Sequence, residues 1–101
     1  MRRRADKIDS NQEQIVKALR SVPGVTVAVG HDDILVGYRG RTYWFEIKRP
    51  GLRKKDGTWR SGAIRPGQQK LLSEWAGHYS IVSSLEEIMS EIGVMFLEIG
   101  V

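Results

Sequence analysis

Cysteine is absent from the chain, which excludes disulfides and any thiolate metal site. Proline is scarce, with three residues. Pro23, Pro50 and Pro66 each fall where one patterned segment gives way to the next, never inside one. No apolar run approaches the ~20 residues that a membrane span requires. Met1-Arg2-Arg3-Arg4 is not followed by the apolar stretch of a secretory leader. An intracellular setting fits these absences. Low-complexity tracts and internal repeats are also missing. What remains is an ordinary globular mixture, 41% hydrophobic and 28% charged in 101 residues, enough for one domain with one modest core. Sixteen basic residues against twelve acidic ones leave a net charge of +4, which favours a polyanionic partner such as nucleic acid.

Residues 1–9 carry Arg2, Arg3 and Arg4 and read as a flexible basic arm; residues 10–101 read as a single domain. Ser10 and Glu13 have the spacing of a capping box, and Ile15, Val16, Leu19 and Val22 continue at helical spacing. Pro23-Gly24 ends that helix. Val25–Val29 is β-branched and predicts a strand. Asp33–Tyr38 and Thr42–Lys48 predict two more, joined by a tight turn at Arg39-Gly40. Residues 49–65 have no apolar periodicity and form a long loop containing Arg49, Arg53, Lys54, Lys55, Arg60 and Arg65. Pro66 suits the first turn of a helix that reaches about Gly77, with Leu71, Leu72 and Trp75 as its apolar stripe. Tyr79–Ser83 predicts a short strand. Ser84 and Glu87 repeat the capping box before a last helix through Ile88, Met89 and Ile92. Residues 94–101 are apolar and fit an extra strand, packing or a subunit contact. The order α-β-β-β-α-β-α predicts an α/β domain with a mixed sheet.

A turn centred on Arg39-Gly40 sets the register of the second hairpin and puts Asp33 opposite Glu46. Directly opposed residues of an antiparallel pair share a face, with Cβ atoms ~5 Å apart. Two carboxylates that close repel, so one is pushed toward its neutral form unless a cation lies between them. Lys48, two positions beyond Glu46, leaves the strand on the same side, while Tyr43, Phe45 and Ile47 point to the other side, toward a core. Hard oxygen donors of this kind suit Mg²⁺ or Mn²⁺, with the Ile47 carbonyl as a further donor. Such an ion polarises a phosphodiester and acidifies bound water. Lys48 is placed to orient or deprotonate that water, or to offset developing negative charge. The competing reading is a surface salt-bridge cluster of Asp33 and Glu46 with Lys48 or Arg41.

Asp33, followed after twelve residues by Glu46-Ile47-Lys48, resembles the PD-(D/E)XK nuclease superfamily. The chain is most similar to small phage-type proteins of the VRR-NUC kind and to Holliday-junction resolvases built on the same core. The blocks "DSNQEQIVKALRSVPGVTV", "DDILVGYRGRTYWFEIK" and "RPGQQKLLSEWAGHYSIVSSLEEI" carry this resemblance over roughly residues 9 to 92. It implies a restriction-endonuclease-like α-β-β-β-α-β core and Mg²⁺- or Mn²⁺-dependent hydrolysis of DNA in the cytoplasm of a bacterial host, by a host or phage gene product. Asp33 and Glu46 would be metal ligands, Lys48 the catalytic lysine, and Gln68 a residue holding Lys48 or the attacking water. Asp32 replaces the proline usual before the ligand aspartate, so either aspartate is a candidate. Relatives often carry an acid on the first helix; Gln12 stands there, with Glu13 beside it, and these are the candidates for a further ligand.

Nothing in the chain resembles a base-reading module, so a branched or structured DNA is the expected substrate, with a homodimer to cut two strands and no small-molecule cofactor. The basic loop reads either as a phosphate-binding flap or as solvated surface. Trp59 within it either stacks on a splayed base or packs the loop down. Trp75 reads as core, and Trp44 as core, interface or cleft lining. His31 reads as solvent-facing, and His78 is placed to meet the C-terminal dipole of the preceding helix. The rival function is a nucleic-acid-binding module that keeps the fold and has weak or no catalysis.

Overall fold

The computed structural model describes residues 2–94, with side chains from residue 11 onward. Three α-helices and four strands follow in the order α1 (Arg2–Arg20), β1 (Val25–Val29), β2 (Asp33–Tyr38), β3 (Arg41–Ile47), α2 (Pro66–Glu74), β4 (Ser80–Val82) and α3 (Leu85–Ile92). The strands make one mixed sheet in sequence order. β1–β2 and β2–β3 are antiparallel, and β3–β4 is parallel.

Helix α1 starts at Arg2, so residues 2–9 form its first turns instead of a separate arm. The capping signal at Ser10 is overridden because no Gly or Pro precedes it. Arg, Ala and Lys are good helix formers, and each residue added to a nucleated helix gains a hydrogen bond. At the other end Pro23 has no N–H to donate, and Gly24 takes φ 83°, which releases the chain into β1.

The β2–β3 hairpin turns through Arg39 and Gly40, with φ 53° and 80°. Both values are positive, as a two-residue turn matched to strand twist requires. The resulting register pairs Asp33 with Glu46, Leu35 with Trp44 and Tyr38 with Arg41. Ile34, Val36 and Phe45 point to one side of the sheet and are 1% exposed or less. Ile15, Val16 and Leu19 of α1 and Ile88, Met89 and Ile92 of α3 close over that side as the core. Ser84 caps α3 by accepting from the Glu87 N–H at 3.2 Å, and Gly93 ends it at φ 88°. Val94 is buried in the same core; the expectation for the rest of the segment to residue 101 lies outside the described residues.

Residues 49–65 are not a plain loop. Pro50–Leu52 forms a 3-10 turn, and Arg53 bridges Trp59 across a small hairpin. The Arg53 guanidinium lies 3.9 Å from the centre of the Trp59 ring and pairs with Glu87. Helix α2 buries none of its residues. It ends at Glu74, short of the expected Gly77, and Trp75 is 53% exposed, not core as its place on the apolar stripe predicts. No helix among the described residues is long and apolar enough to cross a membrane.

Candidate functional site

Asp33 opens β2 and Glu46 is the penultimate residue of β3, so their pairing puts two acids at one end of the hairpin. Strand alternation sends Phe45 and Ile47 into the core and turns Trp44 and Glu46 to the opposite face. Glu46 is nevertheless 8% exposed. Its carboxyl makes no hydrogen bond or ion pair among the described residues, whose ion pairs are Arg53–Glu87 and His78–Glu91. The salt-bridge cluster of Asp33 and Glu46 with Lys48 or Arg41 is therefore not formed.

An uncompensated buried acid resists ionisation. Burial is the largest influence on Glu46; Lys48 opposes it, Asp33 and Asp32 reinforce it, and Arg65 opposes it more weakly. The balance raises the group from the ordinary 4.5 to about 7. Lys48 and Arg65 therefore offset the cost of burial only in part.

Glu46 lines an open cleft of about 330 Å³ together with Asp32, Lys48, Arg49 and Arg65. Ile47 also borders it, and the far wall is Ser61-Gly62-Ala63. The two aspartates have different places. Asp32 borders the cleft, and its carbonyl accepts from the Ile47 N–H at 3.1 Å. The Asp33 carboxylate instead accepts from the Trp44 indole Nε1–H at 2.8 Å. Asp33 is thus opposite Glu46 and electrostatically felt by it, while Asp32 is the aspartate that faces the cleft.

The remaining candidates divide similarly. Gln12 borders a small hollow with Asp32, Ile47 and Arg49, and its amide donates to the Asp33 carbonyl at 3.4 Å. Glu13 is exposed and borders a groove along Val29, away from the acids. Gln68 is not at the cleft; its Oε1 accepts from the Arg65 N–H at 3.0 Å and caps α2. It therefore fixes the backbone of Arg65, which does line the cleft. Of the loop cations, Arg49 and Arg65 border the cleft. Arg53 is held by Glu87 and Trp59, Arg60 donates to the Gly51 carbonyl at 3.0 Å, and Lys54 and Lys55 are exposed on the small hairpin. His31 is exposed. His78 does not act as a helix cap. Its Nδ1 accepts from the Trp44 N–H at 3.1 Å, and its Nε2 lies 2.8 Å from Glu91.

Two further residues lie beside the acids: cleft lining was among the readings of Trp44, whereas Tyr79 was not legible as a site residue. Trp44 was, by alternation, on the correct face, but its bond to Asp33 depends on rotamers. Tyr79 has a buried hydroxyl without a hydrogen-bond partner; burial, then Glu46 and Asp33, push it up to about 12. It enters the site because β4 pairs with β3 in parallel, placing Ile81 beside Glu46.

Gly30 admits the Asp33 side chain. A Cβ built there would lie 2.2 Å from Asp33 Oδ1, closer than any unbonded contact. Gly30→Ala is expected to displace that carboxylate and to cost about 1–3 kcal/mol. Urea denaturation measures the cost, and loss of the indole-to-carboxylate bond should shift the Trp44 Nε1–H resonance.

These features define an α/β protein with a four-stranded mixed sheet, three helices among the described residues and a cleft where a buried glutamate meets basic side chains. Comparison with known proteins adds no family to that description: no family model, no curated protein and no solved structure matches the chain.

Proposed function

We propose that the chain is a metal-dependent DNA endonuclease of the PD-(D/E)XK type that hydrolyses phosphodiester bonds, with branched or structured DNA as substrate. The observation that carries this reading is the buried, unpaired Glu46 opposite Asp33, in a cleft shared with Asp32 and Lys48.

The donor set fits a hard divalent ion. Mg²⁺ keeps several waters and takes only one or two carboxylates from a protein. No group of three or more His, Asp or Glu side chains able to hold a metal occurs among the described residues, so an ion needing a closed protein cage does not suit this cleft. Glu46, with Asp32 or Asp33, would hold Mg²⁺ or Mn²⁺. The ion supplies Lewis-acid polarisation and an acidified water when bound. Lys48 contributes a cation on the same side of β3, where it orients the attacking water or offsets charge on the phosphorane oxygens. Arg49 and Arg65 hold flanking phosphates, and Gln68 fixes Arg65.

Plasmid or four-way-junction cleavage with Mg²⁺ or Mn²⁺ tests the reading. Metal-dependent cleavage that is lost in Asp32→Ala or Asp33→Ala supports it, and cleavage unchanged in Glu46→Ala refutes it. Each phosphate neutralised adds about 0.9 to the slope of log affinity against log salt. The double variant Arg49→Ala/Arg65→Ala should therefore lower that slope by up to about 2, measured by anisotropy of a labelled DNA.

A second reading has a specific observation in its favour. Gln12 borders Asp32 where an acid would strengthen the ion site, which suits a nucleic-acid-binding module without catalysis. No heat on Mn²⁺ titration, with salt-sensitive DNA binding intact, selects that reading.

A further inference from the structure

The face of the sheet opposite the core carries an aromatic group that the phosphodiester chemistry leaves unused. Trp44 lies beside Leu35 in the β2–β3 register. Its ring meets Trp75 edge to face, with centres 5.4 Å apart and planes at 85°, and Tyr79 at 4.8 Å and 72°. Trp44 also bonds the Asp33 carboxylate, so this cluster is continuous with the acids. Two strand positions, about 7 Å, separate Trp44 from Glu46.

Trp75 is the exposed member of the cluster, at 53%, and Leu35, which pairs with Trp44, is 44% exposed. It is not a loose side chain. It stands against Trp44 on one side, and Gly77 lies so close that a Cβ there would be 2.9 Å from Trp75 Nε1. A large ring is thus held in place by its neighbours while half of its surface remains in water. Burying aromatic surface is strongly favourable, so a fixed, exposed indole beside a cleft is a surface prepared for a flat apolar ligand.

We propose that Trp75 is a stacking platform for an unpaired nucleobase next to the phosphate held at the Glu46 cleft. This rests on the phosphodiester reading and adds the substrate class: DNA with a splayed or single-stranded nucleotide at the cut. Charge favours this occupant over a second protein copy. The aromatic group reaches the acids through the Trp44–Asp33 bond, and the cleft at Glu46 is lined by Lys48, Arg49 and Arg65, whereas the centre of a protein–protein interface is depleted of charge. A base needs one ring to stack on and a cation for its phosphate, and stacking tolerates any base because each has a π-face. In duplex DNA those faces are covered, so Trp75 distinguishes open from paired strands.

The test uses the full chain in EDTA, so that binding is read without cleavage. A labelled oligo-dT strand and a blunt duplex of equal length are titrated at low salt, with anisotropy and tryptophan emission as readouts. The wild-type protein is expected to bind the single strand with quenched emission. Trp75→Ala should weaken that binding about 10- to 100-fold and change duplex binding less than about 2-fold, while Trp75→Phe should recover most of the loss. Gly77→Ala, which displaces the ring, should weaken single-strand binding as well. Equal single-strand affinity in Trp75→Ala and wild type overturns the platform and leaves the nuclease reading standing. Absence of binding to either DNA overturns both. Self-association that Trp75→Ala abolishes in sedimentation, with single-strand binding unchanged, assigns the face to a second copy and overturns the proposal.

Discussion

Glu46→Gln should lower metal-dependent cleavage by about 10³-fold or more and, in the metal-free protein, raise stability at neutral and alkaline pH. The two effects have one cause. Glu46 is nearly inaccessible, without a hydrogen-bond partner among the described residues, and faces Asp33 across the hairpin. Its carboxyl is raised from 4.5 to about 7 by burial first, with Asp33 and Asp32 adding to the rise against Lys48 and Arg65. A folded-state value above the unfolded one means that the native protein binds the proton more tightly. The associated stability is complete below pH 4.5 and is lost as pH rises through about 7. Above that window the folded protein carries a buried carboxylate at a cost of roughly 3 kcal/mol at most, less where solvent in the open cleft screens it. Glutamine has no proton to lose, so the variant should show none of this slope. Urea denaturation at pH 4, 6 and 8 in EDTA checks the sign. A wild-type protein that gains stability on Glu46 ionisation would contradict it. Bound Mg²⁺ or Mn²⁺ would reverse the preference, because the ion requires the carboxylate. Affinity should accordingly rise with pH across the same window.

Phe45→Ala should cost about 3–5 kcal/mol. Phe45 is fully inaccessible, on the core side of β3. Its ring meets His78 edge to face at 4.9 Å and stacks with Tyr43 at 6.4 Å, so neighbouring rings cannot simply collapse into the space. A domain of this size holds about 5–15 kcal/mol in total, and each kcal/mol is worth about 4–8 °C in Tm. The variant should therefore melt at least about 12 °C lower. Phe45 lies between Trp44 and Glu46 in sequence, yet faces away from both. Its removal should reduce activity only through the folded fraction, with the residual folded protein retaining the wild-type pH profile. Calorimetry and cleavage measured on the same samples separate these effects. A loss below about 1 kcal/mol would show that the core closes around the gap.

How much of this was legible in the sequence depended on distance along the chain. The two-residue turn at Arg39-Gly40 and the period of two along a strand are local; they set the Asp33–Glu46 pairing, and Lys48 lines the same cleft as Glu46. The Ser84 cap of α3 was likewise local and is present. Ser10 carried the same signal and does not begin a helix, because a cap is only a preference and the preceding residues continue α1. Trp75 lay on the apolar stripe of α2, but that helix buries none of its residues, and Trp75 stays exposed. The placement of Asp32 rather than Asp33 at the cleft, and of Gln68 under Arg65, depends on side-chain rotamers at strand and helix ends. Tyr79 reaches the acids through a parallel pairing across a long connection, for which a sequence offers no register.

Anomalous diffraction from crystals soaked in Mn²⁺ would locate the ion relative to Glu46 itself. One strong peak is expected in the cleft, about 2.0–2.3 Å from a Glu46 oxygen and within reach of Asp32 or Asp33, and it should disappear in Glu46→Gln. Mn²⁺ bound elsewhere on the molecule, with the Glu46 carboxyl uncoordinated and the cleft open to solvent, would contradict this expectation.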